Sequence, residues 1–416
     1  MRPLHVRVAV AALAGATCAG LPAKAPAGVP VAAPLVRPGF YSVAGGRTCR
    51  GSYGPLVFLP QRGDRLIRIG GHSEAVSLRP NGPTSYLVVG SDCTLSFDNN
   101  DLRTLGLCTR VLAHRGDTRT FPANTLPAFR DALTQGFAGF ELDVRFSRNG
   151  VAIVSHDDNL AVATDCRGRV AQRDAGEIAQ CRAVRTPLLP ESRLLARRAS
   201  LPAPVPTLRQ VLEHFLPDPR VEQIVVDIKV FPGGPPMVAH LAEAVPGCPG
   251  PDCLSVQQRL TFITQSQTDA ALLHGRFLNA HVALESNETV SGLIDEADGD
   301  HWWNRSIDTY SLSFNSLFDI KLKIVKLVRG ENLAPARRFR RFYALNRALD
   351  EPRRLLGWTI NNRAGVRGLR DYAFADVLTD MRYADFVREL MAVTPAAEIE
   401  ENVGGLVRGE RRCRRG

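Results

Sequence analysis

The chain has 416 residues, 44% of them hydrophobic and 23% charged; this ordinary globular composition excludes disordered, collagen-like and coiled-coil readings. Its length fits two or three domains, or one large α/β barrel with additions. The formal net charge is +10, yet only five of the 52 basic residues are lysines. Arginine-rich codon usage explains that bias more simply than nucleic-acid binding, so no nucleic-acid partner is expected. The diffuse positive charge suits anionic lipid or phosphate and is compatible with peripheral membrane contact.

Arg2 and Arg7 precede an apolar run from Val8 to Ala16, with small residues continuing to Gly20. That is the layout of a secretory signal peptide, too short to span a bilayer. Residues 1–27 therefore read as a signal peptide and the start of a linker, and 28–38 as a Pro/Ala linker. A secreted or periplasmic location is the expectation. Nine cysteines stand at 18, 49, 93, 108, 166, 181, 248, 253 and 413. Losing Cys18 with the leader leaves an even number, which suits an oxidising compartment. Cys166/Cys181 and Cys248/Cys253 are close enough in sequence for local disulfides. The connectivity of Cys49, Cys93, Cys108 and Cys413 stays open. No C-x-x-C spacing occurs, which argues against a zinc site.

From Gly39 the pattern becomes short apolar runs broken by Gly, Pro, Asn and Asp: LVFLP (56–60), RLIRIGG (65–71), TSYLVVG (84–90) and CTLSF (93–97). We read 39–108 as a small all-β module without helix. After Leu107 the rhythm turns to strand, loop and helix. Strand candidates are 110–115, 138–144, 151–156, 222–230, 260–265, 281–286, 309–314, 355–360 and 376–379. Helix candidates fall at 125–135, 207–216, 236–245, 268–277, 289–297, 318–329, 335–349 and 364–372. Alternation of this kind predicts a parallel sheet with crossover helices, and the count predicts a (β/α)8 TIM barrel over 109–390. Nine strand candidates compete for eight places, and 309–314 is the weakest. Residues 158–205, after the third strand, are too long for a plain strand-to-helix connection. They read as an Arg- and Pro-rich insertion over the barrel mouth. Residues 391–416 read as a basic C-terminal tail.

Residues with chemical potential gather at the predicted strand ends. The first strand ends His114-Arg115-Gly116, the second carries Glu141 and Asp143, and the third ends His156-Asp157. The fourth carries Asp227 and Lys229, and the WTIN segment begins at Trp358. In a barrel these ends share one mouth. Side chains alternate along a strand, so Glu141 and Asp143 point the same way, as do Asp227 and Lys229. Converging carboxylates repel unless a cation sits among them, and an oxygen-only set suits Mg²⁺ or Ca²⁺. His114 and His156 fit acid and base roles because imidazole titrates near neutrality. Arg115 and Lys229 suit a phosphate. Each piece alone has an ordinary structural explanation; their joint occurrence points to metal-assisted phosphoester cleavage.

The run 114–160 resembles the glycerophosphodiester phosphodiesterase family. The elements are His114-Arg115-Gly116, Pro122-Ala123-Asn124-Thr125, Ala128-Phe129, Glu141 to Val144, Gly150 and His156-Asp157, with WTIN (358–361) and VLTD (377–380) later. The resemblance spans about 109–385. It implies a TIM barrel that hydrolyses glycerophosphodiesters to an alcohol and glycerol 3-phosphate with a divalent cation, Mg²⁺ or Ca²⁺. It implies His114 and His156 as the acid/base pair, and Glu141, Asp143 and Asp227 as metal ligands. Arg115, Lys229 and Trp358 would bind substrate. Two positions depart from the family pattern: Ala123 stands where it has Glu, and Asp227 where a Glu ligand is usual. The D-x-K form is similar to the sphingomyelinase D branch, which makes a lysophospholipid-cleaving phospholipase D the alternative. That branch lacks the HRG and P-x-NT elements. A non-catalytic lipid-headgroup-binding barrel is the alternative from another class.

Overall fold

The structure is a computed structural model. It describes residue 36, residues 38–395 with breaks at 46, 55, 61–64, 69–72, 83–84, 100–101, 106, 188–195, 231–233, 246–255, 286–305, 314–336 and 350–351, and residue 398. The predicted leader, the helix candidates at 289–297 and 318–329, Cys248, Cys253, Cys413 and most of the predicted C-terminal tail lie outside the described residues.

The N-terminal module is a seven-stranded sheet of β1 (Gly39–Ala44), β2 (Leu56–Leu59), β3 (Arg65–Arg68), β4 (Ser73–Ala75), β5 (Leu78–Gly82), β6 (Ser85–Val88) and β7 (Thr94–Asn99). Its order is β4-β3-β2-β1-β7-β6-β5, and all its pairings are antiparallel. Alternation along β1 and β2 divides two cores. Phe40, Leu56 and Phe58 join the barrel core, whereas Tyr41, Val57 and Leu59 face a core of the module's own. The Phe58 ring lies 5.9 Å from that of Tyr383 on the barrel flank. The expectation of no helix here is corrected by α1 (Arg47–Tyr53). Its sequence RTCRGSY has no apolar period to announce it. Buried Cys49 anchors it, through a disulfide to Cys93.

The barrel is closed by eight parallel strands: β8 (Arg110–His114), β9 (Gly139–Phe146), β13 (Gln223–Ile228), β14 (Leu260–Thr264), β15 (His281–Glu285), β16 (Thr309–Ser313), β17 (Arg354–Trp358) and β18 (Asp376–Thr379). The weak candidate at 309–314 thus belongs to the barrel. The odd one is β10 (Ala152–Val154), which pairs antiparallel with β9 and stands outside the closed ring. Only five residues separate β9 from β10, too few for a crossover, so the chain must turn back. Asn149-Gly150 makes the turn, with Gly150 at φ 78°. The insertion therefore follows a hairpin arm rather than a third barrel strand.

Outside the ring stand α2 (Leu126–Gln135), α4 (Leu208–Phe215), α5 (Gly234–Ala244), α6 (Gln267–Arg276), α7 (Arg337–Ala348), α8 (Arg363–Leu369) and α9 (Tyr383–Val393). The last of these was not predicted, although Tyr383, Phe386, Val387, Leu390 and Met391 bury one helical stripe. No helix among the described residues is long and apolar enough to cross a membrane. The insertion holds α3 (Ala175–Ile178) and the hairpin of β11 (Arg182–Pro187) with β12 (Ala196–Pro204). It has its own core around Leu160, Val170 and Ile178, and the predicted Cys166–Cys181 disulfide closes it. Several of its arginines bond main-chain carbonyls of the insertion itself: Arg185 to Thr164 O, Arg182 to Pro202 O and Arg173 to Arg167 O.

Candidate active site

An apolar plug of Leu112, Val225, Ile263, Ala283, Leu356 and Leu378 fills the barrel, one residue from each of six strands. Two positions further along, on the same faces, stand His114, Asp227, Gln265, Glu285, Trp358 and Asp380. Glu141 and Asp143 provide the same row on β9. The register sets His114 beside Glu141 and Asp227 beside Asp143. Strand periodicity alone thus gathers the site over the plug.

The turn after β8 supplies two more groups. Arg115 and Asn124 are non-glycine residues at φ 60° and 62°, a left-handed conformation that surrounding bonds must hold. The Asn124 amide N–H donates to Arg115 O at 3.0 Å and the Arg115 amide to Glu141 Oε2 at 3.0 Å. Arg115 Nε lies 3.0 Å from Asp143 Oδ2. The Asn124 side chain donates to Asp143 Oδ2 at 2.8 Å and accepts from the Asp143 amide at 3.1 Å. Gly116 (φ 82°) lets α2 come close, since a Cβ there would stand 2.8 Å from the Ala128 carbonyl carbon.

Glu141, Asp143 and Asp227 each offer an oxygen, all within 4.8 Å of one another. Glu141 and Asp143 are buried, at 2% and 0% exposure. Burial, and then Asp143, push Glu141 well above the usual carboxylate range against the pull of Arg115. Asp227 is pushed up to about 6, first by burial, with Glu285 and Asp143 adding to it against Lys229. Burial would raise Asp143 too, but Arg115 and Lys229 overcome it and hold this carboxyl well below its usual range. Lys229 Nζ bonds Asp227 Oδ2 at 2.5 Å and lies 3.5 Å from Asp143 Oδ1. That buried Asp143 oxygen accepts no hydrogen bond. A buried oxygen without a donor, inside an oxygen-only set, fits a hard divalent cation.

His114 and His156 flank the acids. His114 Nε2 is 3.9 Å from Glu141 Oε2, and its Nδ1 is 2.7 Å from Asp380 Oδ1. His156 Nδ1 lies 3.3 Å from buried Asp157. Trp358 packs on the apolar plug, donates Nε1–H to Ser311 Oγ at 3.1 Å and precedes a cis peptide. All eight predicted residues thus reach one mouth. Sequence reasoning passed over Glu285, which accepts from Gln265 Nε2 at 3.0 Å, and Asp380 as the partner of His114. Counting two positions on from each buried apolar residue would have found both.

Residues 114–237 match the Glycerophosphoryl diester phosphodiesterase family. The resemblance read from the HRG, P-x-NT and E-x-D-V elements is thereby borne out over that segment. The chain is 40% identical over 70 residues to the glycerophosphodiester phosphodiesterase of Caldanaerobacter subterraneus, covering 17% of this chain and 29% of the relative. It is 32% identical over 106 residues to glycerophosphodiester phosphodiesterase 1 of Bos taurus, covering 26% and 30%. It therefore spans less than a third of the length of these relatives. A glycerophosphoryl diester phosphodiesterase structure from Silicibacter pomeroyi aligns with 70% of this chain and 97% of its own, at 17% identity and TM-score 0.49. The phosphodiesterase of Oleispira antarctica, in complex with sn-glycerol-3-phosphate, aligns with 67% and 96% at 16% identity and TM-score 0.45. The closed order of this chain's own strands, with β8 pairing both β18 and β9, makes the barrel.

Proposed function

We propose that the chain is an exported, divalent-cation-dependent phosphodiesterase that hydrolyses glycerophosphodiesters to an alcohol and glycerol 3-phosphate. The observation that carries this reading is the trio Glu141, Asp143 and Asp227 between two histidines at one barrel mouth. The family match at 114–237 supports it. Export is supported by the leader pattern before Gly20 and by the Cys49–Cys93 and Cys166–Cys181 disulfides.

Mg²⁺ or Ca²⁺ held by the three carboxylates would supply positive charge beside the phosphoryl oxygens. Arg115 and Lys229 add fixed cations there. Asp380 is held below the usual carboxylate range: burial raises it, but the hydrogen bond from His114 overcomes that. As a carboxylate it can only accept, so the proton of neutral His114 sits on Nδ1 and Nε2 is left as the basic nitrogen. We assign His114 to take the proton of the attacking hydroxyl and His156 to give one to the leaving alcohol. Trp358 would line the glycerol end.

The test is a panel of glycerophosphodiesters, lysophospholipids and sphingomyelin, assayed with EDTA and after adding back Mg²⁺ or Ca²⁺. Cation-restored release of glycerol 3-phosphate is expected. Cleavage confined to lysophospholipid or sphingomyelin would favour the phospholipase D reading. Full activity in EDTA would remove the metal.

A further inference from the structure

Strand β9 carries a third residue on the face of Glu141 and Asp143. Arg145 lies two positions beyond Asp143, towards the mouth. No carboxylate pairs with it among the described residues. Its half-buried guanidinium donates instead to two main-chain carbonyls: Nε to His156 O at 2.7 Å and Nη1 to Lys229 O at 3.1 Å. These belong to separate segments, one continuing from β10 and the other from β13, and both strands pair with β9. Backbone bonds to β9 hold each segment just before that point. The Ser155 amide donates to Asp143 O at 2.9 Å and the Lys229 amide to Val144 O at 3.0 Å. Past those bonds the ladder ends, and the Arg145 fork takes over.

We infer that Arg145 is a positioning residue that locks the main chain of His156 and Lys229 to the strand of Glu141 and Asp143. Charge-assisted bonds from one rigid, planar guanidinium fix two carbonyls at a set angle to each other, whereas an ammonium's rotatable donors set no such angle. The proton donor and the phosphate-facing cation thereby keep a constant separation. The kinetic part of this inference rests on the function proposed above; the geometric part does not.

The test uses the full chain carrying Arg145→Met, which keeps length without donors, and Arg145→Lys. Amide hydrogen exchange at 156–158 and 229–230 is expected to accelerate in the Met variant and less in the Lys variant. Misplacement on the ångström scale predicts a loss in kcat/KM of about tenfold or more in Arg145→Met. In a His156→Ala background the same change is expected to cost less than about twofold further, because groups acting as one unit are not additive. Unchanged exchange, or equal fold losses in both backgrounds, would overturn the inference. If Arg145→Met does not fold, the Lys variant is read in both assays. If the unmodified chain cleaves no diester, the proposed function fails and the exchange comparison alone decides the role of Arg145.

Discussion

The Nδ1 of His114 lies 2.7 Å from Oδ1 of Asp380, and the other oxygen of that carboxylate accepts from Asn361 Nδ2 at 2.7 Å. Asn361 also accepts from the Asp380 amide at 2.8 Å. Strand ends from opposite extremes of the barrel sequence, β8 and β18, thus meet to orient one imidazole. Replacing Asp380 by Asn removes the charge and allows the other tautomer. Asp380→Asn is expected to lower kcat by about 10²-fold, in the range of a lost acid/base contribution, with a smaller change in KM. Steady-state kinetics would check this, and wild-type turnover in the variant would remove His114 from the base role.

Most of the fold is legible because periodicity does the work. Buried runs such as QIVVDI and LTFIT fix strands, and alternation fixes which of their residues face the mouth. Two features escaped for physical reasons. The hairpin of β9 and β10 differs from a crossover only by its short connection, so strand propensity alone cannot separate them. The helix at Arg47–Tyr53 is held by Cys49 rather than by an apolar stripe. In the site, motif residues within 114–157 were legible because they are close in sequence. Asp227, Lys229 and Trp358 were legible because a barrel puts their strand ends at that same mouth, whereas the bond of Asp380 to His114 depends on β18 closing against β8.

The carboxylate trio gives a binding prediction independent of turnover. Glu141→Gln removes a charged ligand without changing shape, and is expected to weaken divalent-cation binding by calorimetry and activity together. Asp227→Glu keeps the charge and is expected to be tolerated, whereas Asp227→Asn is not. An active Asn variant beside a dead Glu variant would show that Asp227 serves something other than a metal.

The insertion is tied to the site turn through Thr186. Its Oγ1 accepts from the Ala123 amide at 3.1 Å, and both residues are buried. Leu201 N–H also donates to Thr120 O at 3.1 Å. Thr186→Val leaves the Ala123 donor without a partner and is expected to cost about 1–3 kcal/mol of stability, whereas Thr186→Ser keeps the acceptor. Urea denaturation of both variants would check it. Equal stability of the Val and Ser forms would show that this bond does not hold the insertion down.

Away from the mouth, Asp308 sets an acid limit on stability. Its Oδ2 is 2.5 Å from His281 Nδ1, and its Oδ1 accepts from Thr309 Oγ1 at 2.8 Å and the Val282 amide at 3.1 Å. Burial pushes this carboxyl up, but the bond from His281 and its charge outweigh that and hold the group below its ordinary value. A carboxyl with a depressed folded-state pKa stabilises the fold above its unfolded value, about 3.9 for Asp, and that contribution is lost as pH falls through the lower folded value. Asp308→Asn cannot titrate. The part of the wild-type advantage over Asp308→Asn that comes from this carboxylate is therefore expected to shrink as pH drops below about 4. Urea midpoints measured across that range would check it. A gap that stayed the same at acid pH would mean that the charge on Asp308 contributes nothing to holding β15 and β16 together.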